Sequence, residues 1–364
     1  MLKKNLIILC SLILFLAPAV VKSQVEGILY GDKITPGSTL LIITNQEIIE
    51  TDTGVFCTGK IISETQPNYL KAVFHRYDSI TYQIIPAQTI LDEMQAKKGN
   101  WLYFVHGAGK NFEKAVWSGF DIQHFQQVNV VVYSWPASNP DLKALQDLKN
   151  SLTTMQLSTQ HFKESLLMMQ TYRNMLQKTH DTTHLSLLLH SMGNMFLEQM
   201  TNRKELNGLQ NNIFDNIVVN AAAVNEANHK EWMEKLNMQK RIYVISNEGD
   251  VILKGLRFMT KQSMQLGEKV LSKRAKNATY VDFDLAVGLR MPPGVSHTYF
   301  MAASAENDPR IRNFFHLIFN GYEAEFNDSK LFKLNDDGFG YHFLAPDTTK
   351  TNSTINSNEP QNPD

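Results

Sequence analysis

The chain has 364 residues, a formal net charge of −1, 43% hydrophobic residues and 20% charged ones. That length permits one large domain or two ordinary ones, and the composition is that of a globular protein with ample material for a core. The charge balance gives no electrostatic footprint for nucleic acid or an anionic membrane; the basic cluster Lys273, Arg274 and Lys276 reads as the solvated end of a helix.

At the N-terminus Lys3 and Lys4 precede an uncharged apolar run from Leu6 to Val21, broken late by Pro18 and followed by Val21-Lys22-Ser23. That is the order of a cleavable secretory leader over residues 1–23, so the protein is expected to be exported, periplasmic or secreted. A retained anchor is the alternative, but the run is shorter than the ~20 residues a spanning helix needs. Cys10 lies inside the run, so cleavage leaves Cys57 alone and no internal disulfide is expected.

Residues 24–98 are β-rich. Leu40–Thr44, Val55–Ser63, Lys71–Tyr77 and Thr81–Ile85 are short β-branched or aromatic runs between Gly, Pro, Asn and Asp. They carry no chemical motif and read as leading antiparallel strands of the sheet that follows. Ile90–Lys97 predicts a helix.

From residue 99 to 345 strands and helices alternate. Strands are expected at Trp101–Val105, Val128–Tyr133, Leu185–Leu189, Ile213–Asn220, Arg241–Ser246 and Ala278–Phe283. Helices are expected at Phe112–Phe120, 141–153, 155–178, Asn225–Leu236, Val251–Leu271 and Arg310–Phe319. Fully apolar strands separated by helices predict an α/β fold, a mostly parallel sheet with helices on both faces. The polar residues 346–364 read as a disordered tail. The longest excursions, 137–160 and 251–275, are lid candidates.

Ligands of such sheets gather beyond the carboxyl ends of the strands. There the run Leu185–Leu189 breaks at His190-Ser191-Met192-Gly193, and Met195, Phe196 and Met200 then recur at helical spacing. A serine on a tight strand-to-helix corner is lifted out of the sheet as a nucleophile; alternatively Ser191 caps the helix. Gly193 lets the helix lie close to the turn, His190 supports the turn, and Leu189 stands where a glycine is customary. After Trp101–Val105 comes His106-Gly107-Ala108-Gly109, whose glycines bring backbone amides close to a ligand. Amides at Ala108 and Met192 are candidate oxyanion donors. Gly109-Lys110 hints at a phosphate loop, but the leading glycine would fall at Phe104 and Asn111 stands where Ser or Thr is needed.

Asp250, in Asn247-Glu248-Gly249-Asp250, is a candidate acid orienting a histidine, or a helix cap; Glu226, Asp282 and Asp284 compete. His297, after a Pro- and Gly-containing loop, can reach back as general base. The order Ser191, Asp250, His297 fits a Ser-Asp-His arrangement. His180 and His184 have a zinc-like spacing, but Asp181-Thr182-Thr183 favours a turn and no third ligand lies near. No metal and no cofactor is expected.

From about Trp101 to Phe319 the chain resembles the α/β-hydrolase superfamily and, within it, a bacterial serine-hydrolase family of undefined function with a His-Ser-Met-Gly elbow. The resemblance rests on Tyr103-Phe-Val-His-Gly, Val131-Val-Tyr-Ser-Trp-Pro, Leu188-Leu-His-Ser-Met-Gly-Asn, Ser246-Asn-Glu-Gly-Asp and Gly294-Val-Ser-His. It implies Ser191 as nucleophile, His297 as base and Asp250 as acid, acting on a small-molecule or lipid ester. A catalytically silent binding module is the alternative, as is peptidase, thioesterase or acyltransferase chemistry with the same residues.

Overall fold

The computed structural model describes residues 35–52, 54–75, 79–289, 291–292, 294–301 and 308–346. The leader read at 1–23 and the tail from 347 onward lie outside them. Thirteen strands occur among the described residues: β1 (Thr39–Thr44), β2 (Gln46–Thr51), β3 (Gly54–Ile61), β4 (Asn68–Phe74), β5 (Ile80–Ile84), β6 (Trp101–Val105), β7 (Asn129–Ser134), β8 (Leu185–His190), β9 (Phe214–Asn220), β10 (Gln239–Ser246), β11 (Ala278–Asp282), β12 (Phe332–Leu334) and β13 (Tyr341–Phe343). Eleven of them form one sheet in the order β12-β13-β11-β10-β9-β8-β6-β7-β1-β4-β5, while β2 and β3 pair as a separate hairpin.

From β1 through β7, β6, β8, β9 and β10 to β11, every neighbouring pair is parallel. Antiparallel strands close both edges, β4 and β5 at one and β12 at the other. The central strands β6, β8 and β9 are buried along their whole length, and period-two alternation shares them between two cores. Tyr103, Val105, Leu187, Leu189, Ile217 and Val219 face helices Ala87–Ala96, Thr159–Thr179 and Met195–Asn202. Leu102, Phe104, Leu188 and Val218 face helices Phe112–Gln126 and Pro309–Phe319. Leu189, the bulky residue at the elbow, thus has a core position beside Val105 and Val219.

The chain leaves β6 for β7 on one side and returns to β8 on the other. That reversal opens a crevice beyond the carboxyl ends of β6 and β8, where His106 and Ser191 emerge.

Several elements differ from the sequence expectation. Helix Val251–Thr260 stops well short of Leu271, because Lys261 turns left-handed at φ 53° and the chain then runs along the loop after β9. There Leu266 and Gly267 donate to Val224 and Ala222. A Cβ on Gly267 would sit 2.2 Å from the Ala221 carbonyl carbon, so the close approach requires glycine. The helix expected at Asn225–Leu236 contracts to His229–Met233. β2 escaped notice because Gln46, Glu47 and Glu50 break its apolar pattern and most of the hairpin is exposed. β12 and β13, three residues each, are shorter than any periodicity can reveal, so β11 is not the last strand.

Phe196, behind the elbow, packs edge-on against Trp135 and Tyr133 at ring-centroid distances of 5.6 and 5.8 Å. Phe196→Ala is expected to cost about 3–5 kcal/mol of unfolding free energy, read from urea denaturation; a loss near zero would mean that this core collapses into the space.

Candidate active site

β8 ends at His190 in extended conformation, and Ser191 turns left-handed at φ 54° before a short 3-10 turn, Ser191–Asn194, leads into helix Met195–Asn202. A non-glycine residue in that region costs about 1–2 kcal/mol. The corner is therefore held from outside. Asn194 Nδ2 donates to the carbonyls of Leu189, Ser191 and Asn220 at 3.0, 3.0 and 3.2 Å, and the Ala223 amide donates to Ser191 O at 3.1 Å. Asn194 was not singled out from sequence, although it lies inside the motif. The turn has no side-chain capping bond at its start, and the Ser191 hydroxyl makes no hydrogen bond to a described residue.

Two glycines permit the packing around this corner. A Cβ on Gly193 would lie 2.9 Å from the carbonyl oxygens of Val105 and His106, so the turn rests directly on the end of β6. A Cβ on Gly107 would lie 2.6 Å from Ser191 Cβ and 3.2 Å from its Oγ. The loop after β6 thus passes over the serine in backbone contact. Ala108 follows on that loop, and Gly109, at φ 75°, donates its amide to Ala137 O at 3.0 Å. The first amides of a helical turn have no intrahelical acceptor. That leaves the Met192 amide at the corner available to a ligand, with Ala108 nearby.

His106 fixes this loop. Its Nε2 accepts from the Trp135 amide at 3.2 Å, so the proton is on Nδ1, which donates to Gly107 O at 2.9 Å. Trp135 Nε1 donates in turn to His106 O at 3.0 Å, and the two rings stack with centroids 5.6 Å apart. Burial pushes the His106 imidazole down to about 3, so it is neutral. Lys110, the phosphate-loop suspect, instead donates to Ser118 Oγ at 2.7 Å.

Asp250 is fully buried at the end of the loop after β10. Its carboxylate is divided between two contacts: Oδ1 accepts from the amides of Ile252 and Leu253, each at 3.0 Å, while Oδ2 meets His297 Nδ1 at 2.6 Å. The competing acids are engaged elsewhere. Glu226 holds the amides of Leu271 and Ser272, and Asp282 lies 3.3 Å from His342 Nδ1 and accepts from the Asp284 amide. The His297 ring lies over the residue before the serine, 4.6 Å from the His190 centroid, and is 8% exposed, as is Ser191. The structure thus brings Ser191, Asp250, His297, His190, the His106–Gly109 loop and Gly193 to one end of the sheet.

His180 and His184 are not brought together as ligands: His180 caps a helix at φ 54° and His184 Nδ1 lies 3.3 Å from Asp215. Among the described residues no group of three or more His, Cys, Asp or Glu side chains is placed to hold a metal. A cleft of about 250 Å³ near the sheet edge is lined by Lys269, Arg274, Asp282, Asp337 and His342 but by none of Ser191, Asp250 and His297. An Arg274–Asp337 ion pair joins two residues of its wall. The chemistry, rather than the hollow, marks the site.

A histidine that is neutral when buried binds fewer protons than the unfolded chain below its ordinary pKa. With His106 depressed to about 3, its contribution is complete above about pH 6.5 and is lost as pH falls from there toward 3. Urea midpoints are expected to fall steadily over that interval; a flat profile would mean that His106 titrates in the folded state.

Residues 86–303 match the family described as "Alpha/beta hydrolase of unknown function (DUF900)". Among solved structures, the ydeN gene product from B. subtilis is similar at 14% identity over 48% of this chain and 86% of that one, with a TM-score of 0.23. A Pyrobaculum calidifontis esterase is similar at 10% identity over 82% and 90%, with a TM-score of 0.35. No curated protein matches the chain. The family match spans more than half of the sequence and contains β6 to β11, the elbow, Asp250 and His297, and the chain belongs to this family of alpha/beta hydrolases.

Proposed function

We propose that this alpha/beta hydrolase is an exported serine hydrolase of carboxylic esters, working through Ser191, His297 and Asp250. The observation that carries the reading is the divided carboxylate: Asp250 caps a helix with one oxygen and holds His297 Nδ1 at 2.6 Å with the other, beside a serine held at positive φ. With Nδ1–H given to Asp250, Nε2 is the basic nitrogen of the neutral ring. His297 Nε2 takes the Ser191 proton as Oγ attacks the ester carbonyl. The amides of Met192 and Ala108 stabilise the oxyanion. The imidazolium then protonates the departing alcohol, and water, deprotonated by the same ring, releases the acid and restores Ser191.

Exposed apolar side chains on the segments that follow Asp250 and precede His297 support an apolar substrate, a lipid or small acyl ester. Phe258, on the helix that Asp250 caps, is 70% exposed, and Leu289, on the loop leading to His297, is 76% exposed. The leader-like residues 1–23 support export. A second reading, a catalytically silent binding module on this fold, is favoured by the absence of a hydrogen bond from Ser191 Oγ to a described residue.

A fluorophosphonate probe and p-nitrophenyl esters decide between the two. The wild type is expected to be labelled and to turn over; Ser191→Ala abolishes both, and His297→Ala removes most turnover with the fold intact. Labelling that survives Ser191→Ala, or a wild type inert to probe and ester, rejects the assignment. A panel of esters, thioesters and peptides separates esterase from thioesterase, peptidase and acyltransferase activity.

Asp250→Asn tests the divided carboxylate. Asparagine is an equally good cap, so thermal stability should change little, while with its oxygen kept on the helix amides its NH2 group faces His297 Nδ1 and cannot accept from it, and turnover should fall by about 10⁴-fold. Unaltered turnover would remove Asp250 from the mechanism.

A further inference from the structure

We infer that His190 and Asn247 are positioning residues that together set the reactive placement of His297. The inference rests on the hydrolase reading above and extends it to two side chains that touch no reacting atom. His297 comes at the end of a loop whose local bonds, Ser296 N to Pro292 O and His297 N to Gly294 O, only close turns within it. Among the described residues, two of its carbonyls accept from side chains at the ends of sheet strands. Asn247 Nδ2 donates to Ser296 O at 2.8 Å, and His190 Nε2 meets His297 O at 3.1 Å. The two donors sit at the ends of β10 and β8, with β9 between them. They therefore hold consecutive peptide units of the base loop from two strands.

Each donor also belongs to another member of the site. His190 immediately precedes Ser191, so the bond to His297 O ties the base to the nucleophile strand. Asn247 is built into the acid loop, where its Oδ1 accepts from Gly249 N at 3.0 Å and its carbonyl accepts from Asp250 N at 3.0 Å. The loops also touch directly: a Cβ on Gly249 would lie 2.1 Å from the Gly288 carbonyl carbon. Nucleophile, acid and base are in this way one rigid unit.

Stability alone does not account for a histidine at position 190. A carbonyl only accepts, so Nε2 bears the proton and Nδ1 is bare. That Nδ1 is buried without a hydrogen-bond partner among the described residues, and the ring lies among apolar and aromatic neighbours, including Phe300 at 5.1 Å. An orphaned buried acceptor is costly, and a phenyl ring of the same shape would avoid it. What phenylalanine lacks is the donor to His297 O.

The test compares full-length wild type, His190→Phe, His190→Gln and Asn247→Leu, with p-nitrophenyl butyrate as substrate. Glutamine keeps an amide donor that can reach the carbonyl. In His190→Phe and Asn247→Leu, kcat is expected to fall roughly 10- to 100-fold with KM changed less than about twofold, and His190→Gln should recover most of the loss. The low-field proton resonance of His297 Nδ1–H, shared with Asp250, should be broadened or lost in the two donorless variants and kept in His190→Gln. His190→Met repeats the donorless comparison if phenylalanine does not fold. The inference is overturned if folded donorless variants retain wild-type kcat and resonance, or if His190→Gln is no better than His190→Phe. A wild type inert toward ester and probe would fail the hydrolase reading instead, and the resonance would still test the positioning.

Discussion

One carboxylate serves two demands that sequence reasoning had set against each other. The oxygen of Asp250 that closes the start of helix Val251–Thr260 fixes the rotation of the carboxyl group, and that rotation aims the second oxygen at His297. The helix supplies two amides to a group that would otherwise lose its solvation on burial. Asp250 therefore needs no separate scaffold. Its orientation follows from a local folding requirement, and in that orientation it meets His297 Nδ1.

The opposite wall is built by the same economy of backbone. Left-handed Ser191 is stabilised by neighbours rather than by its own preference, chiefly the triple donation of Asn194 and the amide of Ala223. Gly107 and Gly193 then let two strand ends meet without intervening side chains. A neutral, stacked His106 holds the overlying loop through both ring nitrogens, which is possible only because burial keeps the ring uncharged. Strain at one residue is carried by the hydrogen bonds its neighbours make around it.

Much of this was legible in the chain. Runs such as Leu185–Leu189 and Ile213–Asn220 announce buried strands, because each holds an uninterrupted apolar block, Leu187–Leu189 in one and Ile217–Val219 in the other. The His-Ser-Met-Gly corner and the His-Gly loop announce themselves because tight turns restrict residue choice. Other parts were hidden for physical reasons. Strand β2 is largely exposed and carries charges, so burial imposes no pattern on it. Helix Val251–Thr260 ends through a left-handed lysine and a glycine contact with Ala221, both decided by tertiary approach rather than by local periodicity. Asn194 and Asn247 include among their hydrogen bonds one each to distant backbone, Asn220 O and Ser296 O, and no spacing rule marks such a residue.

The meeting of Gly249 with Gly288 bears on how such a site can diversify. A side chain at Gly249 would meet the Gly288 main chain, and one at Gly288 would meet the Asp284 carbonyl oxygen at 2.4 Å, so neither position can gain bulk without shifting backbone. Phe258 and Leu289, by contrast, stand largely exposed to solvent. Backbone contact and freedom to vary thus fall at different positions of neighbouring segments.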